Sequence, residues 1–117
     1  MKWKVYAYKG CDTCRKALKF LQARRVAFEE VPIRERPPTK AELERMLKLY
    51  GGDLRKLFNT SGQDYQQLNL KDKLTKMTAV EAIDLLARNG NLVKRPFVVI
   101  GDRGVVGFKE EEWERLV

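Results

Sequence analysis

Cys11 and Cys14 are the chain's two cysteines, set three positions apart as Cys11-Asp12-Thr13-Cys14. A C-x-x-C spacing suits thiol–disulfide chemistry, in which one thiolate attacks an oxidised centre and the second sulfur resolves the adduct. The pair falls between an alternating segment, Trp3 to Tyr8, and an amphipathic one, Arg15 to Arg25, so it opens a helix directly after a strand. Free backbone N–H groups and the positive end of the helix dipole favour a thiolate at that point. Cys14, Ala17, Leu18 and Leu21 follow the i, i+3, i+4, i+7 spacing of a core-facing stripe, and Cys11 lies off it. The two sulfurs are therefore not equivalent. Cys11 is the candidate nucleophile, and Cys14, one turn further in, is the candidate resolving thiol of a redox disulfide.

The chain has no histidine. That removes Cys-His and Ser-His-Asp mechanisms and any histidine-ligated metal. Half of a zinc site would need carboxylates or a second chain to complete it, so no metal and no tightly bound cofactor are expected. Arg15 follows Cys14 in the first helical turn; it either adds positive potential near Cys11 or is a solvated helix arginine. Asn59, Thr60 and Ser61 form a polar cluster that either caps local turns or lines a pocket. Lys94-Arg95-Pro96 stands directly before an apolar run, and X-Pro is the peptide bond that adopts cis at low cost, ~0.5–1 kcal/mol.

These residues need elements to position them. Trp3, Val5 and Ala7 alternate with Lys2, Lys4 and Tyr6, the pattern of a strand, and Val26, Phe28 and Val31 suggest a second. Pro37-Pro38 breaks the chain. Thr39-Lys-Ala-Glu42 and Thr78-Ala-Val-Glu81 are capping boxes, each opening a helix. The first has Leu43, Met46, Leu47 and Tyr50 on its buried face and ends at Gly51-Gly52; the second stops at Asn89-Gly90. Asp53 to Lys76 reads as short helices and turns. Phe97 to Ile100 is a short continuous apolar run, so a central strand, and Gly101-Asp102-Arg103-Gly104 turns it back into Val105-Val106. Glu110, Glu111 and Glu112 suit the first turn of a last helix, with Trp113 and Leu116 facing inward. A βαβ unit followed by a ββα unit, with C-x-x-C after the first strand, is an α/β, thioredoxin-like fold. It implies one domain over 1–117, with a central mixed four-stranded sheet built from 1–37 and 91–117 and an all-helical insertion at about 38–90.

At 117 residues the chain is long enough for one core. No apolar run reaches the ~20 residues that span a bilayer, and the first residues lack a signal-peptide pattern, so a cytoplasmic protein without membrane contact is expected. The formal net charge of +8 is spread and mixed with acids, as in Arg34-Glu35-Arg36. It reads as a solvated basic surface or as a local site for small anions, and direct nucleic-acid binding is not expected. A monomer is expected.

Taken in order, Cys11-Asp-Thr-Cys14-Arg-Lys-Ala17, Pro37-Pro38-Thr39, Leu57-Phe-Asn-Thr-Ser-Gly62, Leu68-Asn-Leu-Lys-Asp-Lys-Leu74, Lys94-Arg-Pro-Phe-Val-Val99 and Val106-Gly-Phe-Lys-Glu-Glu-Glu-Trp113 cover essentially the whole chain. Together they resemble the ArsC/Spx family of arsenate reductase-like, thioredoxin-fold proteins. Each motif is weak alone; the ordered set is specific. The resemblance implies a cis-proline at Pro96 opposite Cys11, with Arg95 pointing its guanidinium into the same pocket to hold an oxyanion or carboxylate beside Lys94. The bland alternative is a basic loop with Pro96 trans. In the arsenate reductases of the family, one cysteine attacks arsenate and arginines neutralise it. Cys11 matches the nucleophile and Arg95 one arginine; the other two arginine positions fall at Asn59 and at Phe108 or Lys109.

Two roles follow. The first is a thiol oxidoreductase acting on a small oxyanion, a disulfide or a glutathionylated thiol, with Cys11, Cys14 and Arg95 as catalytic residues and Arg15, Asn59, Lys94 and Pro96 on the anion. Glutathione or a glutaredoxin or thioredoxin would be the electron donor. The second is a redox-sensitive, Spx-like transcriptional regulator contacting RNA polymerase, since the C-x-x-C resembles that branch. Spx-like regulators carry a further C-terminal tail, and this sequence ends at Val117.

Overall fold

The computed structural model describes residues 2–117. Its centre is a four-stranded sheet in the order β2-β1-β3-β4. Strand β1 (Trp3–Ala7) pairs parallel with β2 (Phe28–Pro32) and antiparallel with β3 (Phe97–Ile100), and β3 pairs antiparallel with β4 (Arg103–Val106). This is the mixed, thioredoxin-like sheet expected from the element order. One detail differs: β4 begins at Arg103, so the hairpin turn is only Gly101-Asp102. Gly101 adopts φ 62, the left-handed backbone that a two-residue hairpin loop demands and glycine supplies.

Alternation along β1 sends Trp3, Val5 and Ala7 to one face. There they join Cys14, Ala17, Phe20 and Leu21 of helix α1 (Asp12–Ala23), with Val98, Ile100, Val105 and Trp113. Phe20 takes the buried place that the heptad spacing gave to Leu18, which is only partly covered. The cause is aromatic packing: Phe20 meets Phe108 at 5.6 Å and Trp113 at 6.1 Å, both edge-on, and such pairs add to plain area burial. Trp113, on the last helix α6 (Glu110–Glu114), is fully buried, and its indole N–H donates to the Gly107 carbonyl at 3.2 Å.

The other face is covered by the segment between β2 and β3. Helices α2 (Lys40–Leu49) and α5 (Ala79–Arg88) both start with complete capping boxes, at Thr39/Glu42 and Thr78/Glu81. Between them lie the short helices α3 (Gln63–Gln67) and α4 (Leu70–Lys73) and brief 3₁₀ turns. An isolated bridge joins Phe58 to Val93. Leu43, Met46, Leu57, Phe58, Ile83, Leu86 and Leu92 pack with Tyr6, Val31, Ile33 and Phe97 of the sheet side. At the seam, Gly90 lies so close to the Ile33 carbonyl that a Cβ there would sit 1.9 Å from its oxygen.

Glu42 ties this layer to β1. Its carboxylate accepts from the Tyr6 hydroxyl at 2.7 Å, from Lys4 Nζ at 3.0 Å and from the Thr39 N–H at 3.0 Å. Burial alone would push the Glu42 carboxyl up, but the hydrogen bonds from Thr39, Tyr6 and Lys4 outweigh it and hold it below the ordinary carboxylate value.

Candidate functional site

The site forms where β1 ends and α1 begins. Cys11 is the N-cap of α1 in extended backbone (φ −98, ψ 117), and its sulfur accepts from the Cys14 N–H at 3.4 Å. Its own N–H donates to the Tyr8 carbonyl at 3.1 Å, and its carbonyl accepts from the Arg15 N–H at 3.1 Å. The Cys11 side chain therefore caps the helix end, taking up one of its free backbone donors. It is half-buried, while Cys14 is 0 % exposed, and both thiols are free. Burial pushes the Cys14 thiol up to about 12, helped by its contact with the Cys11 sulfur and opposed by backbone hydrogen bonding from Tyr8 and by the Arg95 charge.

A cleft of about 490 Å³ opens over Cys11. One wall is Tyr8, Gly10 and Thr13; the insertion contributes Asn59, Ser61 and Gly62; Lys94 and Arg95 come from the approach to β3, and Val106 to Lys109 from the end of β4. Its charged lining residues are Lys94, Arg95 and Lys109, with no carboxylate among them. The Arg95–Pro96 bond is cis. The Arg95 guanidinium lies over the Tyr8 ring, Cζ 5.0 Å from the centroid, and its Nη1 is buried without a hydrogen-bond partner.

The structure thus gathers Cys11, Asn59, Lys94 and Arg95 around one cavity, with Cys14 behind Cys11. Asn59 both turns the backbone, accepting from the Gly62 N–H at 3.1 Å, and lines the cleft. Arg15 and Pro96 do not line it. Arg15 is exposed and directed at the Asp12 carboxylate and the Lys9 carbonyl, so its charge is answered locally by an i, i+3 partner. Pro96 is buried, and its carbonyl accepts from the Gly107 N–H at 2.9 Å. Of the two positions where the last arginine could fall, Phe108 is committed to the aromatic cluster, 4.9 Å from Trp113, and Lys109 lines the cleft from an exposed position.

Tyr8 is the site residue that the sequence reading missed. Its ring passes beside Gly10, where a Cβ would come within 2.6 Å of the ring edge, and it carries Arg95. The usable signal was its place just beyond the C-terminal end of β1, where open α/β sheets bind ligands. Among the described residues no group of three or more His, Cys, Asp or Glu could hold a metal ion, and no helix is long and apolar enough to cross a membrane.

Comparison with known proteins agrees with this architecture. The chain is 47% identical to the uncharacterized protein YusI of Bacillus subtilis (strain 168), over 93% of this chain and 92% of that protein. It is 31% identical to the regulatory protein MgsR of the same organism, over 95% and 86%. Among solved structures it superposes on an ArsC family related protein from Bacteroides fragilis with a TM-score of 0.93 and 45% identity, covering 100% of this chain and 98% of that one. A possible arsenate reductase from Streptococcus mutans UA159 gives a TM-score of 0.88 at 36% identity, covering 96% and 97%. The model of the ArsC family matches residues 6–116, and the chain belongs to that family.

Proposed function

We propose that the protein is a thiol oxidoreductase in which Cys11 is the nucleophile, Cys14 the resolving thiol and Arg95 the residue that orients and neutralises an anionic substrate. The observation that carries this reading is a helix-capping sulfur facing a cleft whose charged lining is Lys94, Arg95 and Lys109. With a disulfide substrate, the Cys11 thiolate attacks one sulfur, forms a mixed disulfide and expels the other half as a thiolate. Cys14 then attacks the Cys11 sulfur, expels the bound half and leaves a Cys11–Cys14 disulfide. Two electrons from glutathione, a glutaredoxin or a thioredoxin restore the dithiol.

The order of events has an electrostatic cause. While Cys11 is a thiolate, its charge and hydrogen bonding help hold the Cys14 proton. Once Cys11 is in a mixed disulfide that charge is gone, and Cys14 ionises more readily.

Arsenate enters the same cleft as a second candidate oxidant. Asn59 and Lys109 stand there in place of arginine, and bidentate, charge-assisted arginine contacts to a multiply charged anion are the stronger ones. Disulfides and glutathionylated thiols are therefore the favoured substrates. The decisive experiment measures reduction of arsenate and of model disulfides with glutathione/glutaredoxin or with thioredoxin as donor. Cys11→Ser should abolish turnover, and Cys14→Ser should accumulate a mixed disulfide on Cys11 and depend on external thiol. Full activity in Cys11→Ser would sink the assignment.

The similarity to MgsR favours one further reading, a redox-controlled regulator. Oxidation that moves Cys11 would displace the cap of α1 and change the surface shown to a partner, RNA polymerase being the one implied by the Spx-like resemblance. Identical partner profiles from reduced and oxidised protein in a lysate pull-down would rule against the switch.

A further inference from the structure

A second hollow of about 280 Å³ shares Tyr8, Asn59, Gly62 and Arg95 with the Cys11 cleft and is bounded further by Arg34, Gln63, Asp64 and Asn91. Here two guanidiniums converge on one ring: Arg95 Cζ is 5.0 Å and Arg34 Cζ 4.9 Å from the Tyr8 centroid. Arg34 also donates from Nη1 to the Tyr8 hydroxyl at 3.0 Å, which leaves the phenolic O–H free to donate outward. Among the described residues neither arginine forms an ion pair. The Asp64 carboxylate in the wall is engaged by the Asn89 side-chain amide at 3.1 Å.

Two cations gathered on one aromatic ring without an acid between them repel each other, and Arg95 in addition keeps Nη1 buried and unpaired. Both costs fall when an anion binds between the guanidiniums and the Tyr8 hydroxyl. The geometry points to a carboxylate subsite formed by Arg34, Tyr8 and Arg95, which selects oxidised thiol compounds bearing a free carboxylate on the half that becomes attached to Cys11. This rests on Cys11 as the attacking sulfur. The chemistry of the step is unchanged: the Cys11–S bond forms, the substrate S–S bond breaks, and the departing half leaves as a thiolate. The subsite holds the retained half by its carboxylate, with Arg95 serving both hollows. Arg34 comes from the chain just after β2, outside the motifs that surround the cysteines.

The test compares two aromatic disulfides in single-turnover reactions with pre-reduced protein. Dithiobis(nitrobenzoate) carries a carboxylate on each ring; dithiodipyridine is uncharged at neutral pH. Arg34→Gln should slow the first by about three- to fivefold, the upper end of what losing one solvated charged contact costs, and leave the second unchanged. Arg34→Lys should recover part of the loss. Arg36→Gln, which removes the same charge from an exposed position away from the hollow, should move both rates together and only slightly. Equal slowing of both disulfides by Arg34→Gln, or no slowing of either, would overturn the subsite while Cys11 still reacts. Loss of selectivity is thereby distinguishable from loss of the nucleophile: a rate that survives Cys11→Ser, or no reaction at all, removes the Cys11 assignment and the subsite with it.

Discussion

The two faces of the sheet treat the two cysteines in opposite ways. On the face of α1 and α6 the packing is apolar apart from the Trp113 indole N–H bonded to the Gly107 carbonyl: Trp3 and Phe20 meet Trp113 edge to face, and Cys14 sits among them with no exposure. On the insertion face the cover is mixed. Glu42, Tyr6 and Lys4 share a hydrogen-bonded group, and beyond the end of β1 the polar Asn59 and Ser61 wall the cleft in front of Cys11. One face keeps a thiol protonated by denying it water; the other provides the polar wall of a reaction space. Cys11 stands at the seam, anchored to the first face by the helix it caps and open to the second.

The sharpest way to break that contrast is alkylation. A thiol pushed up to about 12 leaves on the order of one Cys14 in 10⁵ ionised at neutral pH, and burial blocks the reagent as well. Iodoacetamide on the reduced native protein should therefore add one label, at Cys11, with Cys14 reacting at least about a hundredfold more slowly until the protein is unfolded. Mass spectrometry of the time course reads this directly. Equal rates at both sulfurs would mean that the α1 face does not hold Cys14 as described.

A second, smaller effect asks whether the faces are one cooperative unit. Gly90→Ala places a methyl 1.9 Å from the Ile33 carbonyl and 3.1 Å from the Arg34 Cα, both backbone atoms that cannot swing aside. The insertion must lift locally, at a cost of roughly 1–3 kcal/mol or more. Both tryptophans lie on the opposite face, so their fluorescence reports α1 and α6, whereas far-UV circular dichroism is weighted toward the insertion helices. Because β1 and β3 serve both cores, the two signals should shift to lower urea together. A displaced dichroism transition with an unchanged fluorescence transition would show two units instead of one.

How much of this was legible follows the same division. The α1 stripe, both capping boxes and the succession of elements along the chain were visible because each depends on residues close in sequence: a 3.6 period, a Thr three before a Glu, a turn glycine. The insertion face was less visible. Alternation in β1 separates Trp3, Val5 and Ala7 from Lys4 and Tyr6, but periodicity says only which residues share a face, not what covers it. Nothing local announces that Glu42, 36 positions away from Tyr6, will take its hydroxyl. The cleft repeats the lesson. Cys11, Lys94 and Arg95 were readable from motifs, whereas Tyr8 and Arg34 became site residues only through the packing of β1 against the start of the insertion. Arg15 erred the other way, and its local partner Asp12 was the sequence signal for that.

The smallest expected effect probes the polar group that fastens the insertion face. Glu42 is held below the ordinary carboxylate value in the folded protein. A depressed folded value means that its contribution is fully present above the unfolded value, ~4.3, and is lost as pH falls through the lower folded one. Glu42→Gln keeps the size of the side chain but gives up the charge that Lys4, Tyr6 and the Thr39 N–H all address. At pH 7 the variant should be less stable by about 1 kcal/mol, the net worth of an ordinary hydrogen bond and the upper end for a solvent-screened ion pair. The gap should close on acidification, because wild type loses the same contribution as pH falls below the unfolded carboxylate value and through the lower folded one, while the variant has none to lose. Urea titrations of both proteins at a neutral and an acidic pH decide it. A gap that persists undiminished at pH 3 would place the effect in side-chain packing, and the insertion would then be held to β1 by its apolar contacts alone.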